Sequence, residues 1–586
     1  MNQGPFGPWN PGLRSPLPSA LLPQVTVFRP EHVSTGLARA RELQDLTGLP
    51  LEALVCFRPR RLAVHELLVR VTADFTVEDG ARSEDLGINF RRLAEILLTR
   101  HLDPRMAEIE RAHAALREAL QARIDEELRT LLDSPTPKKR GLGGFLRRSA
   151  PAPADPSERE STALRDWEGR AAAGNDAIER AACRALGRVV GAVRARHGRL
   201  WGDRTLLAGV ATDLACNEAG SDAIGDLIDP WLVAAVGSEG LRRLPVQARP
   251  VVLNTKGASA SGKSSMRPLQ RALAQEIGER WEDFALISPD IWRKFLLDYD
   301  SLGEHYKYAG TFTSLEIEII DQKLDRYMAR KAGRGAMSHL LIDRFRFDSF
   351  APESDEAGSN LLTRFGDLVY LFFMVTPPHA TVERAWLRGL EVGRYKSVDD
   401  LLAHNVEAFN GMPQLFFTWA LRADKAVHYE FLDNDVPQGA RPGTIAFGWN
   451  GEMNVLDVRR LLDVERYRHI EVGATTPQAV YPGADAMAAA RNTGFLAQCL
   501  RRLPAVNFAL QASGRLYART ENGRLAWSDP QALGEALAEP DTGAALRRVL
   551  PGLAQAAGED VAPGGPRHLS REGTHTLGHW GGALRR

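Results

Sequence analysis

The residues best equipped for chemistry are Gly257-Ala-Ser-Ala-Ser-Gly262-Lys263-Ser264, a complete match to the GxxxxGK[ST] spacing. They directly follow the apolar run Pro250-Val-Val-Leu-Asn254. A loop of this kind turns its backbone N–H groups onto phosphate oxygens, and any but the smallest side chains would obstruct that approach. The four intervening residues are only Ala and Ser. The spacing therefore assigns nucleotide binding to Gly257, Ala258, Ser259, Ala260, Ser261, Gly262, Lys263, Ser264 and Ser265. Lys263 would reach the β- and γ-phosphates and the Ser264 hydroxyl would bind magnesium. The start of the following helix adds attraction for anions. An ordinary glycine-rich turn is the alternative, and the preceding strand argues against it. Lys256, just before the loop, is expected to be solvated.

Three further groups narrow the chemistry. The run Leu340-Leu-Ile-Asp343 ends in one carboxylate, followed by Arg344-Phe-Arg346. Asp343 suits the magnesium shell, but no second acid is at hand to polarise water, so transfer to a bound hydroxyl is favoured over hydrolysis. No Asn-Lys-x-Asp guanine reader follows a later strand, so adenine is favoured over guanine. Ile287-Ser-Pro-Asp290 places an acid at the carboxyl edge of the sheet, where ligands bind in open α/β folds. Asp290 there either accepts the proton of an attacking hydroxyl or caps the helix that begins at Ile291. Arg384 and Arg388 share a helix face and Arg394 follows a glycine. They fit a lid that stabilises charge on a transferring phosphoryl group, or else a surface helix paired through Glu383 and Glu391.

These side chains need a scaffold that delivers them to one edge. From about residue 249, apolar runs alternate with helical stretches: 250–254, 284–288, 339–343, 369–375 and 428–433. Runs without polar alternation suit strands buried on both faces of a mostly parallel sheet. An α/β, doubly wound core is expected over 246–475. The span 249–435 resembles the zeta-toxin-like group of P-loop kinases in its phosphate loop, the acid after the second strand, the strand ending in an acid followed by Arg, and arginines after the fourth strand. The resemblance implies ATP and Mg2+ as cofactors and phosphorylation of a hydroxyl on a UDP-amino sugar. It gives Lys263 and Ser264 phosphate and metal roles, Asp290 the acceptor-activating role, Asp343 the place of the strand-three acid, and Arg384 and Arg394 lid roles. Asp343 stands where Glu is common in that group, and a long helical half precedes the motif.

Around this core the reading places a loose leader at 1–25, helical domains at 26–133 and 158–245, and a Pro/Arg-rich linker at 134–157. A small appended element is expected at 476–555 and a mobile tail at 556–586. Within Pro104–Leu132, apolar residues recur at threes and fours, the pattern of a long helix with one buried face. His575 and His579 stand four apart, but the Thr/Gly/Trp surroundings do not favour the helix a metal pair would need.

Lys+Arg and Asp+Glu both number 74, and that balance argues against broad nucleic-acid binding. Four separated cysteines read as buried or free thiols in a reducing compartment. The longest apolar run, eight residues, is far short of the ~20 that cross a bilayer, and the first residues carry no signal-peptide pattern. The expectation is a cytoplasmic, ATP-dependent kinase acting on a small hydroxyl-bearing metabolite. A nucleotide-dependent regulatory protein, whose helical half engages a protein partner, is the alternative.

Overall fold

The computed structural model describes residues 6–82, 84–132, 156–344, 361–437, 439–553 and 566–581. Of the expected linker, only Pro156 and Ser157 are described, and they open a helix. Before residue 245 the chain is helical: α1 Leu37–Thr47, α2 Pro59–Asp74, α3 Asp85–Leu97, α4 Met106–Leu132, α5 Pro156–Ala173, α6 Ala177–His197, α7 Arg204–Ala215 and α8 Ser221–Glu239. The Pro104–Leu132 periodicity holds: Ile109, Leu120, Ile124 and Leu128 are buried along α4.

The rest of the chain builds one sheet. Its elements are β1 Val251–Lys256, α9 Arg267–Glu276, β2 Phe284–Ile287, α10 Arg293–Leu296, α11 Ala309–Phe312, α12 Ser314–Gly333, β3 His339–Asp343, β4 Leu368–Val375, α13 Pro378–Val392, α14 Val398–Ala420 and β5 Ala426–Asp433. The strands β6 Gly443–Trp449, β7 Glu452–Val455, β8 Ala505–Ala509, β9 Leu516–Glu521 and β10 Arg524–Ser528 complete it. The strand order is β10-β9-β8-β7-β6-β5-β4-β1-β3-β2. β1 to β5 are mutually parallel, whereas β6 to β10 add four antiparallel pairings and one parallel one. All but the first residue of β4 is buried, and alternate side chains enter different cores. Leu371 and Phe373 join Ile320 and Leu324 of α12 and Phe416 of α14, while Phe372 and Met374 join Leu273 and Ala274 of α9. Helices therefore cover both faces, and uninterrupted apolar strands are what such burial selects.

Several peripheral segments differ from expectation. Residues 476–555 carry β8 to β10, which continue the same sheet. Their hairpin turns at Asn522-Gly523, both at positive φ as a two-residue I′ turn requires. Within the expected mobile tail, residues 566–581 are docked. Glu430, buried in β5, accepts hydrogen bonds from the N–H groups of Leu577 (2.6 Å) and Gly578 (3.0 Å), the donors that a buried carboxylate requires. The expected leader is also tied down from residue 6 onward: the Arg14 N–H donates to the Tyr308 hydroxyl and the Ser15 hydroxyl to Asp400. All four cysteines are buried free thiols. Among the described residues, no helix is long and apolar enough to cross a membrane.

The helical half is joined to the sheet through α2, in which every residue from Arg61 to Asp74 is buried. Its charged side chains survive there because each meets a partner. The Arg61 guanidinium grips both oxygens of Glu316 on α12 at 2.5 and 2.6 Å, and His65 donates to the same carboxylate at 2.7 Å. Lys323 donates to the other His65 nitrogen, and Lys331 pairs with Asp74 at 2.6 Å. Burial pushes the Glu316 carboxyl up, but Arg61 and the His65 bond outweigh it and hold the group well below its ordinary 4.5. Its stabilising contribution is therefore complete above about pH 4.5 and is lost as the pH falls toward the depressed value. Glu316→Ala strands the Arg61 charge in the interior and should cost about 3–5 kcal/mol. Urea melts at neutral pH measure that loss, and unchanged stability would mean the junction bears little load.

Candidate active site

The carboxyl ends of β1 to β5 open into a cleft of about 1060 Å³. β1 ends at Lys256, and the chain turns at once into the glycine-rich loop. A Cβ at Gly257 would stand 2.5 Å from Ser261 Oγ and 2.7 Å from Met374 Cβ, so only glycine fits beneath β4. Gly262 has φ +95°, and a Cβ there would meet Asn434 Nδ2 at 2.4 Å. Ala260 also sits at positive φ (61°), a strained choice for a residue with a side chain and one met at ligand-binding turns. The Ser261 carbonyl is held from two sides, by Asn434 Nδ2 at 2.7 Å and the Thr376 hydroxyl at 3.0 Å.

The loop divides its residues between cleft and support. Ser259, Ala260, Gly262, Lys263, Ser264 and Ser265 line the cleft. Gly257, Ala258 and Ser261 are buried behind it. Lys263 Nζ donates to the carbonyls of Gly257 (3.1 Å) and Ala258 (3.0 Å), and burial lowers its pKa against the pull of Asp343 and Asp290. The Ser264 hydroxyl donates to Asp343 Oδ2 at 2.8 Å, which joins the two residues that the sequence assigned to magnesium. Arg267 stands 3.7 Å from the same oxygen. Lys256 overturns its expectation: it is fully buried at the end of β1, and desolvation followed by repulsion from Arg344 and Lys263 drives its pKa far down. Arg344, likewise buried, is paired with Asp321 and Asp325 of α12.

Asp290 follows β2 in a short turn that Trp292 anchors, its ring buried and its Nε1 donating to Thr72 of α2. Ser288, not Asp290, holds the N-cap position of that turn. The Asp290 carboxylate takes Arg293 Nε at 2.8 Å on one oxygen and Arg394 Nη2 at 2.6 Å on the other. Its side chain stays 47% exposed toward the cleft. Burial alone would raise its pKa, but Arg394 and Arg293 together hold it well below the usual carboxylate range. The two lid arginines differ in what they grip: Arg394 reaches Asp290, whereas Arg384 is fixed on the carbonyls of Asn434 (2.7 Å) and Val436 (3.0 Å) after β5. The alternative of surface pairs with Glu383 and Glu391 is not what these two side chains form.

Several cleft residues lay outside the sequence-derived site. Asn434 could have been found from its place immediately after the apolar run of β5, and Arg293 from its i+3 spacing to Asp290. The pair Lys396–His404 (2.6 Å) carries no comparable signal. Neither do Glu84 and Arg91, which enter the cleft from the helical half. His575 and His579 go separate ways, to the Tyr370 hydroxyl and the Pro442 carbonyl. Comparison with protein families, curated proteins and solved structures returned no match to this chain.

Proposed function

We propose that the chain is an ATP-dependent phosphotransferase of the P-loop kinase type, acting on a hydroxyl of a small metabolite. The carrying observation is the convergence of five strand ends on one cleft, where the glycine-rich loop, the Ser264–Asp343 pair and Asp290 face a common space. The loop fits a polyphosphate, because its glycines stand where a Cβ would collide and its lysine lies along the inner edge. Ser264 and Asp343 fit magnesium: both offer hard oxygens, and Mg2+ is commonly held by one or two protein oxygens with phosphate and water completing its shell. When bound there, the ion would neutralise charge on the phosphate oxygens.

In this reading the acceptor oxygen attacks the γ-phosphorus. A new O–P bond forms as the bond to the β-phosphate oxygen breaks, the acceptor proton passes to Asp290, and ADP departs. Asp290 is ionised but masked by Arg394. Transfer of that guanidinium to the phosphoryl oxygens would stabilise the developing charge and restore the carboxylate's basicity. Arg394→Ala is therefore expected to lower turnover about a hundredfold with ATP affinity nearly unchanged. It should also move the acid limb of the pH–rate profile upward, since the Asp290 pKa rises toward its ordinary value once its principal counter-charge is gone. A purely structural Arg394 would leave the acid limb in place.

The reading is tested by incubating the full chain with labelled ATP, magnesium and a metabolite extract, then identifying the labelled product. Transfer to a discrete alcohol supports it. Tight ATP binding with no transfer, and a response only to added protein, would replace it with a nucleotide-regulated switch. A UDP-amino sugar, the acceptor suggested by the zeta-toxin-like resemblance, is the first pure compound to try.

A further inference from the structure

The part of the cleft beyond Asp290 is walled by a helix from outside the α/β layer. Glu84, Gly87 and Arg91, at the start of α3 and along it, line that wall. Their spacing of three and four residues puts them on one helix face. A Cβ at Gly87 would stand 3.2 Å from Arg91 Nη1 and 3.9 Å from Ile291 Cβ. Glycine thus lets this face close on the residue after Asp290, with the Arg91 guanidinium lying across it. Leu86, buried in the cluster against which Ile291 packs, fixes the helix in that position.

From the opposite side come Arg388 on α13 and Arg394 just after its C-cap Gly393, and Glu84 acts electrostatically on both as well as on Arg91. Tyr299 is likewise within electrostatic reach of Arg91, Arg388 and Asp290. Arg91 and Arg388 line the same cleft, and both have donors to spare. Arg91 makes no hydrogen bond or close ion pair with any described residue. Arg388 Nε and the Tyr299 hydroxyl are buried without a partner. Buried donors are ordinarily satisfied, so the orphaned Arg388 Nε, with the unbonded Arg91 lining the same cleft, points to a missing acceptor. Burial lowers the pKa of both guanidiniums, and repulsion from Arg394 adds to it at Arg388, which falls to about 9. A planar carboxylate is matched by a single guanidinium fork, whereas a phosphate offers three acceptor oxygens to donors converging from α3 and α13.

Resting on the phosphotransferase reading, we propose that α3 of the helical half is the acceptor-recognition wall, and that Arg91, with Arg388, holds a phosphate group carried by the acceptor. The acceptor is then a phosphorylated alcohol, and Arg91 is a specificity-determining residue. The helical half is part of the active site.

The test uses the full chain saturated with magnesium and a non-hydrolysable ATP analogue, so that the glycine-rich loop is filled, and measures radiolabelled inorganic phosphate by equilibrium dialysis. The parent chain should bind one further phosphate. Arg91→Ala should weaken that binding at least tenfold and Arg91→Lys by less, with analogue affinity and melting temperature unchanged in both. Phosphate that binds Arg91→Ala as tightly as the parent, or binds only when the analogue is absent, overturns the proposal. Displacement by an equal concentration of acetate overturns the assignment to phosphate. An analogue that binds without a second phosphate defeats this proposal alone, whereas failure of the analogue to bind defeats the phosphotransferase reading and this proposal with it.

Discussion

Lys263→Ala is expected to reduce phosphoryl transfer below detection while the chain remains folded. The ammonium group lies on the inner edge of the glycine-rich loop, bonded to the Gly257 and Ala258 carbonyls at 3.1 and 3.0 Å. Those bonds position the side chain before any nucleotide arrives. Their loss should cost about 1 kcal/mol each, the net worth of an ordinary intramolecular hydrogen bond. The catalytic loss is far larger. Lys263 is the cation placed to follow charge onto the phosphate oxygens, and removing one such donor commonly costs a hundredfold to a thousandfold on its own. Loss of ground-state attraction for the nucleotide compounds it. Lys263→Arg is a useful companion: it keeps the charge, but a broad guanidinium cannot enter the space of a slim ammonium beside Gly257, so activity should remain low. The measurements are single-turnover transfer, an ATP-binding isotherm and a melting curve. Normal turnover in the alanine variant would remove the loop from the reaction.

The legibility of this molecule follows its physics. β1 to β5 could be read because strands buried on both faces must be apolar throughout, and β4, Leu368 to Val375, carries that signature most plainly. The loop could be read because its glycines answer to steric limits at Met374 and Asn434 that no other residue meets. β7 could not, since Glu452-Met-Asn-Val is short and mixed, and its pairing with β8 spans some fifty residues of sequence. The docking of 566–581 was equally hidden, because it depends on partners far back in the chain, Glu430 and Tyr370 among them. The charges of α2 look like a solvated face until Glu316, Lys323 and Lys331 are brought against them. Lys256 misled for the same reason: a lysine at a strand end is ordinarily solvated, and only the fold shows it enclosed. Local patterns thus disclosed the strands and the glycine-rich loop. Partners distant in sequence, among them the α3 wall of the cleft, came only with the tertiary structure.

Asp290→Asn separates a catalytic carboxylate from a structural one. The simplest structural role is not open to it, since Ser288 holds the N-cap position and the carboxylate's oxygens go to Arg293 and Arg394. Asparagine keeps the shape and can still accept from one guanidinium. Arg293 retains its own bonds to the Gly310 carbonyl and the Thr313 hydroxyl, so the turn should stay folded. Because Asp290 is half-exposed to the cleft, the lost ion pairs are solvent-screened and should lower stability by no more than about 1 kcal/mol. What disappears is basicity. If the carboxylate takes the acceptor proton, transfer should fall by about a hundredfold to ten-thousandfold, the range set by positioned acids and bases. Nucleotide affinity should hold or rise slightly, since a negative charge has left the cleft and Arg394 is free to meet phosphate. An anchoring role for Asp290 predicts the reverse: Arg394 would lose its station, ATP binding and melting temperature would fall together, and transfer per bound nucleotide would survive. Single-turnover transfer to the acceptor found in the extract, set beside the isotherm and the melting curve, decides between them. A variant that transfers phosphate at the parental rate takes Asp290 out of the mechanism and leaves the cleft a nucleotide-binding switch.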